Sequence, residues 1–173
     1  MTMTALDAAL DPLRRKAQPG GPVTPPVTDL CPGVWLNGDP EAGHTGQWTS
    51  PSGRLCELVI TPEAPGHWLG LHIALPPLET DGLTWLSLTL RGHAARPIAL
   101  KPCLRSGVGE GFSDSFFDRH ILLRPAESDH ALLMVPAQYP DLPDTAPWRE
   151  LILFLPPGEA LSLALHDVRL IAL

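Results

Sequence analysis

The chain predicts an all-β fold, a sandwich or barrel of mostly antiparallel strands, and three observations carry that prediction. Residues 68–75 and 84–91 alternate with a period of two. Leu69, Leu71, Ile73 and Leu75 oppose Trp68, Gly70, His72 and Ala74, and Leu86, Leu88 and Leu90 oppose Trp85, Ser87, Thr89 and Arg91. This is the pleat of a β-strand, whose successive side chains leave opposite faces. From residue 54 onward, apolar segments of strand length recur between turn-rich pieces, with no helix-period segment among them. Without helical crossovers, neighbouring strands are antiparallel. Composition agrees: 21 prolines in a chain that is 44% hydrophobic and only 18% charged describe strands cut by stiff turns, not a disordered chain.

Taken in order, residues 5–16 place Leu6, Ala9, Leu10 and Leu13 at helical spacing, interrupted by Pro12. They form either a short docked helix or a loosely ordered arm. QPGGPVTPP follows and reads as an extended linker. Residues 1–27 are therefore expected to be an N-terminal arm or linker, and residues 28–173 a single domain. Between 28 and 52, Gly, Pro, Asp and Asn surround Trp35 and Trp48, which predicts long loops around one or two short strands. Strands are expected at 54–60, 68–75, 84–91, 98–104, 116–123, 130–135, 149–155 and 161–173. In the last, Leu161, Leu163 and Leu165 keep odd phase while Val168, Leu170 and Ala172 continue in even phase, which predicts a β-bulge at His166–Asp167.

Bulk properties narrow the function classes. A chain of 173 residues suits one domain with a sizeable core. A net charge of −7 disfavours a general nucleic-acid binder, which needs a basic footprint. Cys31, Cys56 and Cys103 contain no CxxC pair, so neither a zinc ribbon nor a thioredoxin-like site is supported. The N-terminus lacks the apolar core of a signal peptide, and no apolar run approaches membrane-spanning length. The expectation is a cytoplasmic protein with free thiols and no membrane partner, with export by another route left open.

The polar faces of the central strands hold the first candidate site. Trp68, His72, Trp85, Ser87, Arg91, Lys101 and Arg105 all lie opposite the leucines. If their strands are neighbours, aromatic platforms sit beside hydrogen-bond donors, which suits the apolar C–H faces and polar rims of sugars. The plainer alternative is that each Trp is covered by a loop. Within the expected strand 116–123, Asp118 and His120 share the face of Phe116. Such a pair can orient a hydroxyl, bind a metal or act as acid and base, or it can be an ordinary surface pair.

Catalytic motifs are missing. The seven histidines (His44, His67, His72, His93, His120, His130 and His166) include no local metal-binding pair, and HExxH and GxSxG do not occur. GVGEG at 107–111 is not followed by a helix-period segment, so it reads as a loop, not a phosphate cradle.

WLSLTLRG (85–92), FFDRHILLRP (116–125), WRELILFLPPG (148–158) and the closing LSLALHDVRLIAL resemble the β-sandwich carbohydrate-binding modules of the galactose-binding-domain-like group. The resemblance covers about residues 68–173 and implies a jelly-roll sandwich that binds glycan without catalysis, on a sheet face or at the loops of one end. The loop option would use 105–115 and 136–147 with Tyr139 and Trp148. Such modules often close on an Asp-Asp-Val-like strand that holds a structural calcium. Here the triplet is His166-Asp167-Val168, so Asp167 is the implied oxygen ligand and His166 departs from the pattern.

Three functions follow from these readings. The first is recognition of a glycan or polysaccharide, with Trp68 and Trp85 stacking and His72, Arg91, Lys101, Asp118 and His120 hydrogen-bonding. The second is a structural or adaptor subunit of a phage-like particle or polysaccharide machinery, packing on a protein partner or a second copy through its sandwich face. The third is a metal-dependent jelly-roll enzyme using His72, His120 and Asp118.

Overall fold

The computed structural model describes residues 5–173. The first four residues of the expected arm lie outside the described residues. Helix α1 (Asp7–Arg15) is followed in chain order by β1 (Gln18–Val23), β2 (Val27–Cys31), β3 (Val34–Gly38), β4 (Thr45–Ser50), β5 (Cys56–Thr61), β6 (Leu69–Ala74) and β7 (Leu86–Ala94). Then come β8 (Ile98–Val108), β9 (Gly111–Phe116), β10 (Ile121–Leu123), β11 (Ser128–Met134), β12 (Arg149–Phe154) and β13 (Leu161–Ala172). They form two sheets. The first runs β1-β4-β5-β13-β7-β11; the second runs β10-β8-β12-β6-β3-β2, with β9 also paired to β8. Every pairing is antiparallel.

The two alternating segments explain the layering. Leu69, Leu71 and Ile73 of β6 and Leu86, Leu88 and Leu90 of β7 are all buried in one core. A fully buried leucine contributes about 1.5–3 kcal/mol. Yet β6 belongs to the second sheet and β7 to the first. Because both leucine faces meet in the same core, the opposite faces of the two strands point away from each other, out of opposite sides of the sandwich. The single patch expected from Trp68, His72, Trp85 and Arg91 is therefore split in two.

Three other expectations change. QPGGPV, expected as linker, is the edge strand β1, paired with β4. An edge strand tolerates prolines because one row of its backbone groups needs no partner. Gly20 is required there, since its φ is +79° and a Cβ would lie 1.7 Å from the Trp48 carbonyl oxygen. The expected strand 116–123 is broken: β9 ends at Phe116, β10 begins at Ile121, and the buried Phe117 turns inward between them. Asp118 and His120 consequently lie in a loop, not side by side on a strand. The GVGEG loop is shorter than expected, because β8 and β9 pair up to Val108 and Gly111.

The C-terminal strand has the expected bulge. β13 pairs Leu165 with Gly92 and Asp167 with Arg91, leaving His166 as the extra residue. N-terminally, α1 docks through Ala9, Leu10 and Leu13. Arg14 anchors it by donating to Asp167 Oδ1 from Nε and Nη2 (3.1 and 2.9 Å) and to the Val168 carbonyl (2.7 Å).

Candidate functional site

The outer face of the second sheet concentrates aromatic rings and paired charges. Its central row follows the strand register: Trp35 opposes His72, His72 opposes Ile152, Ile152 opposes Cys103, and Cys103 opposes Phe116. The next row brings together Glu150, Arg105 and Asp114. His72, only 3% exposed, stacks on Trp35 with ring centroids 5.2 Å apart. Its Nδ1 lies 3.1 Å from Glu150 Oε1. Glu150 is 3.8 Å from the Arg105 guanidinium, which donates two hydrogen bonds to Asp114 (2.7 and 2.8 Å) and lies 3.8 Å above the Phe112 ring. Nearby, Lys101 Nζ sits 4.0 Å over the Phe116 ring, and Phe116 packs on Phe154. The result is a row of charged groups held by partners and flanked by rings, a preorganised hydrogen-bonding surface with low entropy to lose on binding.

Two tryptophans stand at the ends of this face. Trp68 is 40% exposed and borders a hollow of about 350 Å³ lined by Lys101, Phe116, Phe154 and Pro156. Trp148 is 45% exposed and lies over Gly107, where a Cβ would come within 2.5 Å of its Nε1. The β6–β12 register places the two rings about eight residues apart along the strands, or roughly 25 Å at the strand rise.

The residues singled out from the sequence divide as follows. Trp68, His72 and Lys101 are together on this face. Trp85 and Arg91 belong to the first sheet, whose outer face is on the other side of the sandwich. Arg91 pairs there with Glu127. Asp118 and His120 occupy the 117–120 loop, where Asp118 accepts a hydrogen bond from the Tyr139 hydroxyl (2.8 Å). The trio His72, Asp118 and His120 thus spans a buried strand position and an exposed loop, and does not form a ligand group.

Asp167 does not fit a calcium site. Its Oδ1 accepts from Arg14 and its Oδ2 from Arg169 (2.6 Å), so both oxygens already face guanidinium charge.

Sequence reasoning missed Trp35, Glu150, Phe112 and Phe154. The alternation Val34/Leu36 against Trp35/Asn37 was legible in principle, but it spans five residues inside a Gly- and Pro-rich stretch. A second hollow, of about 480 Å³, lies on the first sheet between Arg91, Asp129, Asp167 and Arg169. Its only ring is the His130 imidazole, and no Trp, Tyr or Phe lines it, so it offers no indole or phenyl stacking platform.

No protein-family model matches the chain, and no curated protein sequence does at a significant score. Solved structures do. The N-terminal cellulose-binding domain of Cellulomonas fimi β-1,4-glucanase C aligns with a TM-score of 0.54 at 16% identity, covering 82% of this chain and 89% of that one. The family 11 carbohydrate-binding module of the cellulosomal cellulase Lic26A-Cel5E of Clostridium thermocellum gives 0.53 at 11% identity, covering 100% and 95%. The Stig cyclase Fisc from Fischerella sp. TAU, solved with an indole compound, gives 0.54 at 15% identity, covering 100% and 98%. At these identities the likeness shows the fold and nothing finer, and one fold can host both binding and catalysis. The chain has the antiparallel jelly-roll sandwich of the carbohydrate-binding modules, with a short helix docked at its N-terminal side.

Proposed function

We propose that this protein binds a glycan chain, without catalysis, across the outer face of the second sheet. The observation that carries the reading is the placement of Trp68 and Trp148 at the two ends of a face whose middle is a fixed row of hydrogen-bonding groups. Sugar rings stack on the exposed indoles and on Phe112, while Arg105 and Lys101 meet hydroxyls, and the buried Glu150 and His72 fix Arg105 from behind. Both carboxylates in that row, Glu150 and Asp114, are within reach of Arg105. That arrangement suits orienting hydroxyls, whereas glycoside hydrolysis needs one carboxyl group left free to protonate a leaving oxygen. The carbohydrate-binding modules that share the fold support the same class of ligand.

Affinity electrophoresis against a panel of soluble polysaccharides, followed by calorimetry on the best ligand, tests this. Trp68→Ala and Trp148→Ala should each weaken binding by about five- to 150-fold, on the scale of about 1–3 kcal/mol for a lost stacking ring. Trp85→Ala, on the other side of the sandwich, should leave it unchanged. Full affinity in both former variants would sink the sheet-face reading. Stable self-association that covers Trp68 and Trp148, seen as a concentration-dependent solution mass, would assign the face to a protein interface, as the adaptor reading requires.

A further inference from the structure

The outer face of the first sheet carries a second constellation, built by the bulge in β13. His93 of β7 and His166 of β13 come from adjacent strands, and the unpaired His166 leans toward its neighbour. His93 Nδ1 and His166 Nε2 are 3.1 Å apart, with the two rings edge to face. Glu127, just before β11, completes the group: its Oε2 lies 3.3 Å from His166 Nδ1, while Arg91 holds its Oε1. One ligand atom from each of the three residues can be chosen so that all lie within 4.8 Å of one another.

We propose that His93, His166 and Glu127 form a binding site for a divalent transition-metal ion of the zinc class, on the opposite side of the sandwich from the glycan face. In a tetrahedral site with metal–nitrogen distances of about 2.0–2.1 Å, two ligand nitrogens stand roughly 3.3 Å apart. The His93–His166 separation is already close to that value. Glu127, whose Oε2 faces the other nitrogen of the His166 ring, joins the same ion by a rotation of its part-exposed side chain, from ligand atoms that lie within 4.8 Å of one another. Two imidazoles with one carboxylate favour zinc, nickel, cobalt or copper over calcium, which prefers an all-oxygen shell. A hollow of about 270 Å³ lies beside His93, lined also by Arg54 and Glu57. Of the neighbouring guanidiniums, Arg54 is paired with Glu57, while Arg91 orients the ligand carboxylate of Glu127 through its other oxygen.

The test uses the full chain, stripped with a chelator and titrated with zinc chloride by calorimetry. One equivalent should bind, and a tenfold excess of calcium should not compete. His93→Ala and His166→Ala should each lower zinc affinity at least tenfold, while His120→Ala, in the exposed loop, should not. In the unmutated protein, substoichiometric Co²⁺ should shift or broaden the His93 and His166 ring signals before those of the other five histidines. This keeps the question answerable if a variant fails to fold. Absence of stoichiometric zinc binding, or binding with those two rings unaffected, overturns the proposal. Neither result bears on the glycan face, whose test rests on other residues and another ligand.

Discussion

Arg149 ties two loops to the end of the second sheet, next to Trp148. The residue is 3% exposed, and its guanidinium donates to the carbonyls of Leu78 and Pro143 (2.8 and 2.6 Å) and reaches the Ser106 hydroxyl. Burial lowers its pKa, partly offset by Asp144. Arg149→Met strips buried carbonyls of their donors and should reduce stability by about 3 kcal/mol in denaturant unfolding. Arg149→Lys should not restore it, because an ammonium cannot span the same fork of acceptors. The thiols make a second prediction at this scale. Burial pushes Cys56 up to about 12, helped by Glu57 and Cys31, and burial also raises Cys103 and the half-buried Cys31. A thiol reagent followed by mass spectrometry should label Cys31 slowly and leave the other two untouched until the protein unfolds. Individual residues were legible where their strand was: Trp68, His72 and Lys101 could be assigned to a polar face from periodicity. Their partners could not, because Glu150 meets His72 only through a register between strands 78 residues apart.

At the scale of elements, the bulge and the helix meet at Asp167. Desolvation works to raise this carboxyl, but hydrogen bonds from Arg169 and Arg14 hold it below its ordinary value. A folded-state pKa below the unfolded one means the stabilisation is fully present above the unfolded value of about 3.9 and is lost as pH falls through the folded value. The melting temperature should therefore drop on acidification below about pH 4, and Asp167→Asn should flatten part of that drop. At neutral pH the same substitution should cost about 1–2 kcal/mol and loosen α1. Hydrogen exchange should show faster exchange of the α1 amides in that variant. The bulge itself was readable from the phase slip of the last strand, since a one-residue shift exchanges the buried and exposed sets. The strands before residue 54 were largely illegible. β1 carries two prolines and two glycines, and its strand character comes from its partner β4, not from its own propensity.

For the whole molecule, the sequence made an antiparallel sandwich legible but not which strand joins which sheet. β6 and β7 are consecutive and equally amphipathic, and only the crossing of residues 75–85 between sheets decides that their polar faces diverge. That crossing makes the two outer faces separate surfaces with the core between them. A glycan on the second sheet should raise the melting temperature by mass action, by about 2.7 kcal/mol of stability at a hundred times its dissociation constant. Zinc affinity measured at the same saturation should stay unchanged, because no shared side chain links the faces. The borders of the first sheet differ from each other as well. At β1, Pro19 and Pro22 lack the N–H groups that an incoming strand would need. At the other border, β11 pairs with β7 on one side only and exposes Leu133. Growth of the sheet by recruitment of a foreign strand is thus blocked at one border and open at the other. Should the protein aggregate when concentrated, fibre-like stacking should begin at Ser128–Met134, and Leu133→Lys should delay it without altering the fold.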